Sequence, residues 1–260
     1  MDRRRRTKME GRFDLRRYPV AVGIATVAVL TVLLENALRL GLLNRYVVPL
    51  PSEVLLNLPR LFTEEAILQR FFDTGFRMLV SCILVVGIAV PTGALLWRYR
   101  LLRRAVIDWV AALAAAPVVL AFPLFLVMFG RSTATVVIMS LITGLAPLVI
   151  KTVEGLTTVR PVLINVGRSM RLSSMQMFWK ILLPAALPAI FTGIKISWTY
   201  VLISVVGIEY LINLGGLGAL INELVERYDL PGTYSSILLV VLLSVIYFMA
   251  LERIEKWVRR

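Results

Sequence analysis

The chain has 260 residues, 58% of them hydrophobic, with a mean hydropathy of +0.81, which excludes a soluble domain of about 45–50% apolar composition. It has no histidine and one cysteine, Cys82, so an intrachain disulfide is excluded and the commonest metal ligand and general base is missing. A net charge of +13 would suit nucleic acid, but the placement of the charges points to membrane topology instead.

Residues 1–18 form a basic N-terminus whose Arg3–Arg6 run reads as a cytosolic topology signal. The first apolar segment, about 19–42, follows it as a signal peptide would. It is long and lacks a small-x-small cleavage site, so an uncleaved anchor is expected. Five more segments long enough to span a bilayer are predicted, at about 76–97, 105–129, 133–152, 185–208 and 234–252. Pro117 and Pro123 interrupt the third, while Pro91, Pro147 and Pro188 lie inside others. Such prolines imply a packed bundle whose neighbouring helices satisfy the freed carbonyls.

With the N-terminus inside, only Arg45, Arg60, Arg70, Arg131 and Arg227 of the 29 Lys and Arg residues fall in external pieces. Arg39, Arg77 and Lys195 lie within spans, and the rest are cytosolic, including both termini. The expected organisation is thus a cytosolic segment 1–18 and one all-α, six-span domain 19–260. The external stretch 51–73 begins with Pro51, Ser52 and Glu53, where Ser52 is placed to cap, and continues as short amphipathic pieces at the outer interface. Glu35 with Arg39, Asp73 with Arg77, and Arg104 with Asp108 are each spaced for local ion pairs.

The cytosolic loop 153–184 is polar and basic while almost everything around it is apolar. Pro161 opens a helix to about Met170, and Ser173 or Ser174 caps a second that ends at Leu183 before Pro184. Leu163, Val166, Gly167 and Met170 fall on one apolar face, and Met175, Phe178 and Leu182 on another. By periodicity alone, a docking knob for a partner and a helix pair packing on its own bundle are equally supported.

Several stretches resemble type I ABC importer permeases of the nitrate/sulfonate/taurine branch. That family carries a cytosolic signature EAA, three residues, G, nine residues, I-x-L-P, whose end is matched by Ile181, Leu183 and Pro184. Counting back, Arg171 stands at the glycine position, and Asn165, Val166 and Gly167 stand at the EAA positions. LPSEVLLNLPRLF, ALAAAPVVLAFPLFLVMFGRS, LPAALPAIFTGIKIS, GIEYL and GGLGALI resemble further family segments, over roughly residues 48–252. The resemblance implies an inner-membrane permease, with a second permease subunit (homo- or heterodimeric), two cytosolic ATPase subunits holding ATP and magnesium, and an external solute-binding protein. It implies no catalytic or metal residue in this chain, and no G-x-x-x-x-G-K-[S/T] phosphate loop occurs. The expected cargo is a small polar solute, anionic, sulfonate-like or heteroaromatic.

Residues expected to dock on the ATPase are Asn165, Gly167, Arg168, Met170, Arg171, Leu172, Ser173, Met175, Phe178 and Pro184. A glycine in that turn would suit a positive φ; with arginine, either the turn closes differently or Arg171 reaches an acidic or phosphate group of the partner. Lys195, Ser197, Tyr200 and Glu209 are candidates for the substrate path. Against them stand snorkelling or pairing across helices for Lys195, interhelical hydrogen bonds for Ser197, Thr199 and Tyr200, and helix capping for Glu209. Gly215, Gly216 and Gly218 are expected to permit a tight turn or a close backbone approach beside the path. Competing classes are an ATP-independent secondary transporter, for which neither inverted repeats nor midplane charges stand out, an intramembrane enzyme, and a membrane scaffold.

Overall fold

The computed structural model describes residues 19–258, so the basic N-terminal segment and its Arg3–Arg6 run lie outside the described residues. All regular elements among the described residues are helical. Residues up to Asn57 form one compact unit and those from Leu58 onward a second.

In the first unit, α1 (Pro19–Arg39) is followed by a loop and the start of α2 (Pro51–Glu64). The expected pair of Glu35 and Arg39 forms at 2.6 Å. Ser52 lies inside α2 and does not cap it; its hydroxyl and backbone N–H donate to the Glu35 carboxylate at 2.7 and 3.1 Å. Glu53 takes the capping role, accepting from the Leu50 N–H at 3.2 Å.

In the second unit, α3 (Ile67–Arg98) starts nine residues before the predicted span, after a left-handed turn at Ala66 (φ 47°). The charges that hid its first turns are neutralised by partners distant in sequence. Arg70 makes a two-pronged contact with Glu223 at 3.0 and 2.8 Å. The third predicted span is broken: α4 (Arg100–Ala115) and the segment from a 3₁₀ turn through α5 (Phe122–Phe129) meet at 85°. Pro117 causes the break, because it pushes Ala116 to extended backbone (ψ 136°) and offers no N–H to continue the helix. Pro123 sits in the first turn of α5, where its missing donor costs nothing.

Next come α6 (Thr133–Thr157), α7 (Pro161–Ser169), α8 (Ser174–Met177), α9 (Leu183–Ile212), α10 (Gly216–Glu226) and α11 (Leu230–Val258). Five helical segments are long and apolar enough to cross a membrane, and a sixth is added if the bent α4–α5 pair is one span. The stretch 209–233, read from sequence as an external loop, therefore contains the end of α9, all of α10 and the start of α11.

The core forms where α3, α6 and α9 meet. Met78, Cys82, Val85 and Ala89 of α3 pack with Val136, Met139, Leu148 and Val149 of α6 and with Ile190, Val201, Val205 and Ile208 of α9. Lipid is as apolar as these side chains, so close approach and interhelical hydrogen bonds must hold the helices together. At Gly144 a Cβ would lie 2.6 Å from Val201 Cγ2 and 2.9 Å from Ser197 Oγ. That closeness lets the Ser197 hydroxyl donate to the Gly144 carbonyl at 2.6 Å. A second cluster joins Leu61, Ile67, Leu217, Leu220, Leu224, Leu239 and Leu243, and so seats α10 against α3 and α11. Arg131 donates to the carbonyls of Ile212 and Asn213, both at 2.8 Å, and satisfies the otherwise orphaned end of α9.

Candidate functional site

The polar insert between α6 and α9 folds as a compact knob. Pro161 occupies the first turn of α7, where its lack of an N–H is harmless. The helix stops at Met170 because Arg171 turns left-handed, with φ 50°. Its N–H donates to the Arg168 carbonyl at 2.9 Å, and the Leu172 N–H donates to the Gly167 carbonyl at 3.1 Å. This is the double-bonded helix ending that glycine normally supplies, made here with an arginine. Ser173 then caps α8 reciprocally with Gln176, at 3.3 and 3.0 Å.

The second helix does not stop before Pro184. A π turn, Phe178–Leu182, carries α8 directly into α9, with the Leu183 N–H donating to the Phe178 carbonyl. Pro184 cannot donate to a carbonyl four residues back, and the wider turn beside it shifts the hydrogen-bond register. Ser174–Ile212 is consequently one continuous 39-residue helical segment.

The knob has two sides. Gly167 faces inward: a Cβ there would lie 2.6 Å from Ile181 Cδ1 and 2.7 Å from Met177 Sδ. Leu163, Val166 and Met170, expected on one apolar face with Gly167, are exposed while Gly167 is buried. Phe178 is also turned inward, its ring 6.1 Å from that of Trp97 on α3. With Ala94, Trp97, Met175 and Leu182 it lines an open cavity of about 560 Å³. The outward side carries Val162 (69% exposed), Met170 (66%) and Trp179 (59%), interleaved with Arg160, Arg168, Arg171 and Lys180. None of these four cations forms an ion pair among the described residues, and the chain has no Asp or Glu between Glu154 and Glu209. Asn165, Ser173 and Pro184 are exposed as well, whereas Leu172 is half-buried.

Because arginine takes a left-handed conformation at a cost of about 1–2 kcal/mol, Arg171→Gly is expected to stabilise the isolated chain. Glycine's freer unfolded state offsets part of that gain, leaving up to about 1 kcal/mol. Thermal unfolding in detergent reads the effect. A lowered midpoint would reveal a compensating contact of the arginine side chain.

The four path candidates all lie on α9, each with its own surroundings. Glu209 is fully buried near the far end of α9. It accepts from Arg77 Nη1 at 2.7 Å, Thr74 Oγ1 at 2.8 Å and the Gly218 N–H at 3.2 Å. The Leu217 N–H donates to Thr74 Oγ1 at 2.8 Å. Two of the orphan donors at the start of α10 are thus capped by side chains from α3 and α9, and the carboxylate also meets the positive end of the helix dipole. Of the two roles weighed for Glu209, the structure shows capping. Arg77 does not pair with Asp73 as expected; it reaches across to Glu209 and to the Gly215 carbonyl, the latter at 3.2 Å. Gly215 and Gly216 have φ of 97° and 81°, and a Cβ on Gly216 would lie 2.6 Å from the Glu209 carboxylate. The tight turn and the close approach expected of the glycines are both present.

Ser197 is buried and spent on its bond to Gly144, and the Thr199 hydroxyl donates to the Lys195 carbonyl. Lys195 pairs across helices with Glu255 of α11 at 2.6 Å, while Tyr200 is 40% exposed. No ion pair joins Arg104 and Asp108; Arg103 instead donates to Thr157 Oγ1 at 3.1 Å. Sequence reasoning missed the Arg77–Glu209 pair. Its signal was present, since opposite charges in apolar segments seek one another.

Residues 61–260 match the family described as the binding-protein-dependent transport system inner membrane component. A probable ABC transporter permease of Brucella abortus (strain 2308) is 26% identical over 82% of this chain and 87% of that protein. The taurine transport system permease protein TauC of Escherichia coli K12 is 22% identical over 96% of this chain and 92% of its own. The nitrate import permease protein NrtB of Synechococcus elongatus is 24% identical over 75% and 74%. Among solved structures, an inward-facing conformation of the MetNI methionine ABC transporter has the same fold, with a TM-score of 0.64, 23% identity, and 75% and 96% of the chains covered.

Proposed function

Because this chain belongs to the binding-protein-dependent inner membrane component family and is an ABC importer permease subunit, we propose that it is driven by separate cytosolic ATPase subunits docking on the α7–α8 knob. The knob's outward side carries the proposal: exposed apolar side chains among four unpaired cations, on a helix continuous with α9. The matching ATPase surface is a groove with an apolar floor and carboxylates at its rim. Asn165 stands where the family signature has glutamate, so this surface offers no negative charge of its own. The excess of Lys and Arg in the segments flanking the spans supports a cytosolic knob and cytosolic termini, with α10 on the external side toward a solute-binding protein.

In this arrangement closure of the ATPase pair pushes the knob, and α9 carries the motion across the membrane. Paired permease subunits then rock to alternate access. The relatives' names include taurine, nitrate and formylaminopyrimidine transport. A small polar solute, anionic or heteroaromatic, is the corresponding cargo here. The test is reconstitution. A tagged chain is expected to carry ATPase subunits through size exclusion, and solute-loaded binding protein is expected to stimulate their ATP hydrolysis. Uptake that continues without ATP would instead identify a secondary transporter.

A further inference from the structure

We propose that the groove between α4 and α6 holds the headgroup of an anionic phospholipid. Arg98 ends α3, and Arg100, Arg103 and Arg104 lie in the first turns of α4, so four cations gather at the junction of two apolar segments. Among the described residues no carboxylate pairs with any of them. Arg103 and Arg104 stand at the rim of an open groove of about 440 Å³, whose walls include Ile107, Ile150 and Val153. Thr157 and Thr158 complete the rim at the end of α6. The Glu154 carboxylate also borders the groove, but Lys151 holds it at 2.7 Å. Arg103 spends one N–H on Thr157 and keeps the others for a ligand.

A cationic rim above an apolar slot, at the ends of membrane-length helices, matches an amphiphile with a negative head. Two guanidinium groups suit the phosphate oxygens, and one acyl chain would lie along Ile107, Ile150 and Val153. Free phosphate would leave the apolar walls unused. A second copy of this chain would bring the same arginines, and like charges facing each other repel. No residue of α4 is buried, so the groove opens sideways to lipid. The choice of the inner leaflet rests on the orientation proposed above, but the binding does not.

Native mass spectrometry of the full chain, released from nanodiscs of mixed phosphatidylglycerol and phosphatidylcholine, tests the site. Wild type is expected to retain phosphatidylglycerol selectively, and Arg103→Gln and Arg104→Gln are each expected to weaken that selectivity roughly fivefold. Arg45→Gln, distant in sequence and outside the groove, serves as the control and is expected to leave it unchanged. Equal retention of both lipids, or unaltered selectivity in the double variant Arg103→Gln/Arg104→Gln, would overturn the proposal. Displacement of the lipid by inorganic phosphate alone would mark a simple anion site and overturn it too. Because the readout is lipid retention rather than uptake, failure here leaves the transport reading intact.

Discussion

Arg77→Met is expected to destabilise the chain by about 3–5 kcal/mol, since it strands the Glu209 carboxylate without its charged partner in a buried site. Glu209 is fully buried, and without Arg77 it keeps only the Thr74 hydroxyl and the Gly218 N–H as donors. Glu209→Gln is expected to cost less, because an amide oxygen still accepts from the start of α10 while the arginine loses its counter-charge. The double variant Arg77→Met/Glu209→Met removes both charges together and should recover much of the loss, short of wild type by about 1–3 kcal/mol for the uncapped Gly218 N–H. Unfolding monitored in detergent separates the three. If Arg77→Met melts like wild type, the pair does not hold α10 to α3 and α9. The expected route of failure is local: α10 detaches first, exposing Leu217, Leu220 and Leu224, so hydrogen exchange in 216–226 should rise before that of α6.

Arg168→Glu combined with Arg171→Glu is expected to abolish ATP-driven uptake while leaving membrane insertion and folding intact. Both side chains are exposed and neither forms an ion pair among the described residues, so the change breaks no ion pair there. Against a carboxylate-rimmed partner, two attractions become two repulsions. Loss of one paired charge at a buried interface costs about 2–5 kcal/mol, and at about 1.4 kcal/mol per factor of ten ATPase retention should fall at least tenfold. ATPase subunits that stay bound and hydrolyse in step with solute would refute the docking face. Arg171→Gly is the informative companion: it preserves the turn, removes one cation, and so isolates the charge from the backbone. Phe178→Glu would not serve the same purpose, since Phe178 packs on Trp97 and its loss would disturb the bundle itself.

The features that could be read from the sequence are those settled within a few residues. Apolar length marked the spans, Pro117 marked the break in the third, and Ser173 or Ser174 marked a helix start. The family signature located the turn between α7 and α8, and Arg171 adopts its positive φ despite having a side chain. Each follows from local sterics and hydrogen bonding, which neighbouring residues determine.

Tertiary structure decided what depends on distant partners. Glu209 and Arg77 lie far apart in sequence, and only the packing of α3 against α9 and α10 brings them together and sets the carboxylate at the start of α10. The same packing turned Gly167 and Phe178 inward and let a π turn carry α8 into α9 past Pro184. Helical periodicity marks a residue as apolar, but a buried core and a partner's groove both satisfy that requirement. Which of the two a side chain meets is set by the helices that assemble around it.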